Sequence, residues 1–304
     1  MLKKFIRRLP IIGSRIARYD ALRASLTWPP GHYYSPIPDF SELKERGTEI
    51  WPKKVPRSLP GLDMNEAGQL DTLTRLSGLY SSEQPFPESQ SAENRYYFDN
   101  GFFRHSDALF LHMMLRHLRP ARLIEVGSGF SSCVTLETNE RFLDNRMRCT
   151  FIDPDPTRLR KLLKPTDNIE ILSQRVQTVD RAIFRELSRD DVLFIDSSHV
   201  AKTGSDVNLL FLDVLPQLAP GVHVHVHDIL HPFEYSPDYV HHAWNEVYLL
   251  RAFLTHNSAW RINLFPSFLE RFHGDRLQRD MPMVMRTCPN SEVRGSSIWL
   301  EKLA

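Results

Sequence analysis

Hydrophobic and polar positions give the chain two textures. From about Tyr96 onward, short apolar runs alternate with amphipathic stretches. The runs Arg122–Val126, Arg148–Ile152, Ile169–Leu172, Val192–Ile195, Val222–Val226, Trp260–Leu264 and Ser297–Leu300 are four or five residues long and bounded by turn formers. That pattern predicts seven strands. Helical periodicity covers Asp107–Leu118, Ser132–Phe142, Pro156–Leu163, Val179–Leu187, Asp206–Leu215 and Tyr239–Thr255. Alternating strands and helices make an α/β fold, a mostly parallel sheet covered by helices on both faces. Up to about Arg95 the texture is different. WPPGHYYSPIPD, WPKKVPRSLPG and SSEQPFPESQSAEN are dense in proline, and Glu66–Leu79 is the clearest helix among them. Proline donates no ladder hydrogen bond, so this part reads as an irregular, partly helical cap. The predicted division is residues 1–95 as N-terminal arm and cap, and 96–304 as core.

In an open parallel sheet, ligands bind beyond the carboxyl ends of the strands, near the point where strand order reverses. The notable polar residues all fall at such ends. Gly127 and Gly129 follow the first strand, Asp153 the second and Asp196 the fourth, while His227 and Asp228 follow the fifth. The first glycine permits a tight turn and the second lets a ligand approach the backbone. A dinucleotide fingerprint places a third glycine three residues later, where this chain has Ser132. Asp153 is placed to accept the hydroxyl protons of a ribose, and Asp155 to cap the next helix.

Composition narrows the classes. Among 304 residues, 38 Lys and Arg balance 37 Asp and Glu, so no global field draws a polyanion and no nucleic-acid partner is expected. Cys133, Cys149 and Cys288 form neither a CxxC pair nor a zinc set, and point to buried thiols in a reducing, cytoplasmic setting. The N-terminal stretch carries Lys3, Lys4, Arg7 and Arg8, but Arg15 and Arg18 interrupt the apolar run a signal peptide needs. Residues 1–25 are therefore expected to contact an anionic membrane surface or a neighbouring subunit in a homo-oligomer, or to fray.

Glu125-Val-Gly127-Ser-Gly129 resembles motif I of class I S-adenosylmethionine (SAM) dependent methyltransferases. Together with FIDPDP, DVLFIDSSH and HVHDI it is similar to a bacterial methyltransferase domain of the class-24 type, over roughly Tyr96 to Trp299. Ser131 departs from the motif, where many members carry glycine. The resemblance implies a Rossmann-like seven-stranded fold and SAM as cofactor. It implies Glu125 near the methionine end, Gly127, Ser128 and Gly129 along the cofactor, Asp153 and Asp196 beside it, and Gln177 near the adenine.

The acceptor chemistry rests on Asp196, His199, His227 and Asp228. In one reading, Asp196 and Asp228 hold Mg²⁺ or another divalent cation, with His227 or His199 nearby, as in the catechol-type methyltransferases this part resembles. Those enzymes follow the second carboxylate with asparagine, where this chain has Ile229. In the other reading, His199 or His227 is a general base, with Asp196 beside it. Asp228 is equally placed to cap a following helix. His223, His225 and His227 share one strand face, but a flat face does not converge three rings on one ion easily. Glu234, Tyr235, Trp244 and Asn245 are candidates to shape an acceptor pocket. The expected activity is methyl transfer to a small acceptor, most simply at oxygen. A nicotinamide-dependent oxidoreductase and a non-catalytic scaffold on the same fold are the alternatives.

Overall fold

The computed structural model describes residues 18, 20, 27–80, 85–286 and 294–304. The contact expected of residues 1–25 lies outside the described residues, apart from Arg18 and Asp20. The chain forms two compact units, the smaller from residues 1–55 with 237–243, the larger from 56–236 with 244–304. In the smaller unit, helix α1 (Phe40–Glu45) is capped by Asp39, which accepts from Ser41 N at 2.8 Å. Arg46 follows it and pairs with Glu42 and Glu49, joining α1 to α2 (Gly47–Ile50).

The larger unit begins with α3 (Glu66–Leu79). Gln69 on α3 is fully buried, donating to Met64 O at 2.6 Å and accepting from Phe265 N at 2.8 Å. Among the expected cap residues, 56–80 and 85–95 fall in the larger unit by their contacts. Proline controls local regularity, not what a segment packs against.

The elements that follow are α4 (His105–Leu118), β1 (Arg122–Val126), α5 (Phe130–Phe142), β2 (Arg148–Ile152), α6 (Thr157–Arg160), β3 (Glu170–Leu172), α7 (Ala182–Arg185), β4 (Val192–Ile195), α8 (Asp206–Leu209) and β5 (His223–His227). The last four are α9 (Glu246–Leu254), β6 (Trp260–Leu264), α10 (Pro266–Asp280) and β7 (Ser297–Lys302). The strands make one seven-stranded sheet in the order β3-β2-β1-β4-β5-β7-β6. β7 runs antiparallel to β5 and β6, and the other pairs are parallel. The expected Rossmann-like sheet is present. Leu123, Phe151, Val192 to Ile195, Val224 and Val226 are almost completely buried, as strands covered on both faces require. From Ala108 to Leu115 helix α4 is apolar except for His112, whose Nδ1 lies 2.9 Å from Thr138 Oγ1, and it is correspondingly buried. No described helix is long and apolar enough to cross a membrane.

Four helical expectations change, the first being Pro156–Leu163, which keeps only α6 as helix. The long helix expected over Tyr239–Thr255 is two pieces, a 3-10 turn at Pro237–His242 and α9. They are separated at Ala243, whose φ of +54° no α-helix accommodates. Val179–Leu187 keeps only α7 as helix, and Asp206–Leu215 widens after α8 into a π-turn at Leu210–Val214.

Candidate active site

Strand order reverses between β1 and β4, and the site grows from the residues leaving those strands. Gly127 turns the chain with φ +88°, its N–H bonded to Ile152 O at 2.9 Å. A Cβ there would stand 1.8 Å from the carbonyl oxygen of Asp196, so the exit of β4 itself forbids a side chain. Gly129 is extended, and a Cβ would meet nothing nearer than Arg158 Cδ at 3.5 Å. The protein's own packing does not demand glycine at 129, which leaves that backbone free for close approach.

Glu125 is fully buried beneath this turn. Its Oε1 accepts from Ser131 Oγ at 2.5 Å and Ser132 Oγ at 2.9 Å. Ser132 Oγ also accepts from Gly129 N at 3.0 Å. The two serines that depart from the glycine patterns therefore serve the acid. Glu125 Oε2 has no hydrogen-bond partner, and no base pairs with the carboxyl among the described residues. Burial pushes its pKa up to about 8, only partly countered by the serine hydroxyls.

Asp153 leaves β2 and accepts from Ser128 N at 3.0 Å and Ser128 Oγ at 2.8 Å, with its other oxygen taking Asp155 N at 2.8 Å. Asp155 is not the cap expected of it, because the N-cap of α6 is Pro156; Asp155, one residue earlier, accepts from Thr157 N at 3.3 Å and from the Thr157 hydroxyl. Gln177 stands on a 3-10 turn and donates to Gly204 O at 3.1 Å. Gly127, Ser128, Asp153, Arg158, Gln177 and Asp196 line one cleft of about 670 Å³. Glu125 and Gly129 are not among its lining residues. Arg158, which the sequence did not single out, has its guanidinium 4.1 Å from the ring centre of Phe102.

At one end of the cleft, Asp196 meets the second cluster. His199 Nε2 lies 3.2 Å from Asp196 Oδ1 and 3.5 Å from Asp228 Oδ2. Its Nδ1 pairs with Glu246 Oε2 at 2.8 Å. His227 repeats the arrangement more loosely. Nδ1 is 3.5 Å from Asp228 and 3.8 Å from Asp196, and Nε2 is 3.7 Å from Asp107. Glu246 and Asp107 are buried, and neither was foreseen, because they sit on helices remote in sequence from β4 and β5. The Trp244 ring lies over His199 at 4.4 Å.

Burial alone would lower His199, but hydrogen bonds with Asp196 and Glu246 override it and raise it to about 10. Burial likewise opposes His227, yet Asp228 and Asp196 carry it well above the ordinary histidine value. Asp196 is pushed up by burial and drawn down further by His227 and His199, to below its usual range. An imidazole already protonated at neutral pH cannot take a substrate proton, so the geometry weighs against His199 as general base.

Asp228 has φ +55°, and no helix begins directly after it. It therefore caps nothing and faces the cluster, with Ser296 Oγ donating to it at 3.2 Å. The histidine row does not converge. His225 stacks on Phe194 at 4.0 Å, and burial holds it well below the ordinary value, while His223 stands beside Asn263. Of the expected pocket residues, Asn245 brackets Ala201 through both amide atoms. Glu234 accepts from the Tyr248 hydroxyl.

Residues 124–229 match the family model described as a methyltransferase domain. An uncharacterised protein of Archaeoglobus fulgidus is 34% identical over 166 residues, covering 54% of this chain and 75% of that protein. The chain carries a methyltransferase domain. Among solved structures, this methyltransferase is similar to the SAH-bound methyltransferase PaMTH1 of Podospora anserina. The TM-score is 0.42 and the identity 14%, over 89% of this chain and 99% of that one. It is also similar to the plantazolicin methyltransferase BpumL in complex with SAH, with a TM-score of 0.40 and 16% identity over 66% of this chain and 83% of that one.

Proposed function

We propose that this methyltransferase moves the methyl group of SAM to an oxygen of a small acceptor, at a site completed by a divalent cation. The observation that carries the reading is the double membership of Asp196, which lines the cleft and faces both imidazoles of the buried cluster.

The cleft suits the cofactor. Its volume falls in the range of roughly 300–1,000 Å³ usual for such sites. Asp153 already accepts three hydrogen bonds, two from Ser128 and one from Asp155, and keeps one lone pair on Oδ1 for a ribose hydroxyl. Gln177 would border the adenine end, and Gly127 and Ser128 the chain between, with Gly129 behind them at the start of α5. Glu125 keeps one buried oxygen without a partner, toward the methionine end. When bound, SAM supplies a methyl carbon that its sulfonium already makes electrophilic. The protein's task is alignment and exclusion of water.

The cluster suits a cation. Asp107, Asp196, Asp228 and Glu246 face only two imidazoles, so negative charge is in surplus. Asp196, His227 and Asp228 offer ligand atoms that all lie within 4.8 Å of one another. His227, preceding Asp228, supplies the donor that Ile229 cannot. A divalent cation there would lower the pKa of an acceptor hydroxyl. His199, held by Glu246, donates toward both carboxylates and fixes their positions. Trp244 covers it on the side of α9.

The test is Asp228→Asn, which keeps the shape and tolerates a left-handed backbone. Binding of S-adenosylhomocysteine (SAH), measured by calorimetry, should stay within about 3-fold. SAH production over a panel of phenols and sugar hydroxyls should fall by roughly 10²-fold or more. Unchanged production in the variant sinks the cluster's role. A wild-type protein that binds no SAH sinks the placement of the cofactor.

A further inference from the structure

The proposed cation site contains a histidine whose two ring nitrogens have separate tasks. His227 is 6% exposed, and neither nitrogen makes a hydrogen bond of ordinary length among the described residues. Nδ1 points at the gap between Asp196 and Asp228, at 3.8 and 3.5 Å. Nε2 points at Asp107, at 3.7 Å. Asp107 is itself fixed from β7, accepting from Ser297 Oγ at 2.8 Å and from Ser296 N at 3.1 Å. Phe103 closes over the imidazole with ring centres 5.1 Å apart. An imidazole with one nitrogen facing two carboxylates and the other facing a buried third is the arrangement of a metal-ligating histidine with its orienting carboxylate. A buried ring that merely filled space would have no use for it. His225, one pleat away, shows the contrast, being stacked flat on Phe194 with no acid at either nitrogen.

We propose that His227 ligates the cation through Nδ1, with Asp107 as its outer carboxylate, and that the site selects a first-row transition cation over Mg²⁺. The proposal rests on the cation reading given above. The donor set carries the selectivity. Mg²⁺ demands oxygen donors in a near-ideal octahedron and rarely takes imidazole. One imidazole with two carboxylates, reached from a hydrophobic shell, suits Mn²⁺, Fe²⁺, Co²⁺ or Zn²⁺. The order of residues supports this. β5 delivers His227 inward as its last pleat, and the left-handed turn at Asp228 brings the next side chain back to the same gap. Two adjacent residues thereby present donors to one point, which a regular strand would send to opposite faces.

The experiment titrates the full chain, saturated with SAH, with Co²⁺, Mn²⁺ and Mg²⁺, by calorimetry and by visible absorption of the Co²⁺ complex. The wild type should bind one Co²⁺ at least about 10-fold tighter than Mg²⁺. His227→Asn should weaken Co²⁺ by about 100-fold and change its absorption bands, with Mg²⁺ moved less than about 3-fold. Asp107→Asn leaves the ligands in place and should cost about 10- to 100-fold in Co²⁺ affinity. It also serves as the deciding variant if His227→Asn fails to fold, as judged by SAH binding. Mg²⁺ binding as tight as Co²⁺, or an unchanged Co²⁺ spectrum in the variants, overturns the histidine ligand and leaves the cation reading standing. Binding of no cation at all overturns both, and leaves only the SAM reading.

Discussion

Glu125 concentrates the chemistry of the cofactor turn in one side chain. It is sealed under the turn, its proton held by burial at a pKa of about 8 against an ordinary 4.5. A carboxyl raised on folding stabilises the native state fully below about pH 4.5. That contribution is lost as the pH rises through 8, because the unfolded chain can ionise freely and the folded one cannot. The full span is on the order of 4–5 kcal/mol. Without cofactor, the free energy of unfolding in urea should therefore fall between pH 5 and pH 8. Glu125→Gln should flatten that fall, since an amide keeps the two serine hydrogen bonds and cannot ionise. Parallel pH profiles for the two proteins would show that the acid is solvated and the argument wrong.

Between elements, the segment leading into α4 is tied to α5 by a buried ion cluster. Arg95, with its side chain 3% exposed, pairs with Glu137 at 3.1 Å and Glu140 at 2.6 Å, both on α5, and with Asp167 beyond α6. Its backbone N–H adds a bond to Glu137 at 2.8 Å. Arg95→Met would strand two buried carboxylates, with Lys164, 3.7 Å from Glu137, as the nearest remaining compensation. A loss of about 3 kcal/mol is expected in denaturant unfolding. A loss under about 1 kcal/mol would mean the cluster is solvated on its Glu140 side. At this scale the sequence is readable where burial is two-sided. β1, β2 and β4 appear with the bounds their apolar runs predict, because a strand buried on both faces has few polar positions to blur it. Helices without such runs are less legible. α10 is not among the expected helices. Proline is tolerated at its first position, and His273 kinks the helix. The candidate site divides in the same way. Asp153, Asp196 and Asp228 are visible as acids at strand ends. Glu246 and Asp107 sit at the starts of helices, where an acid is ordinarily a solvated dipole partner, and only the tertiary fold turns them inward.

For the molecule as a whole, the question is which nucleotide the sheet edge accepts. A dinucleotide would place its pyrophosphate against the free N–H groups at the start of α5. Here Ser132 Oγ already takes Gly129 N at 3.0 Å, and Glu125 lies beneath as an acid that disfavours phosphate once ionised. The same two features tolerate a ligand whose near end is an amino acid. A ligand that binds only the folded protein stabilises it by mass action, about 2.7 kcal/mol at a hundred times its dissociation constant. In a chain of this size that corresponds to a rise in melting temperature of about 5 °C. SAH should produce such a rise and NADH none. Glu125→Gln should lower the SAH shift, because the unpartnered oxygen Oε2 is replaced by an amide NH2, which cannot accept a hydrogen bond from the ligand's ammonium. A rise with NADH equal to that with SAH would mean that Ser132 yields its hydrogen bond to a phosphate, and would reopen the oxidoreductase reading.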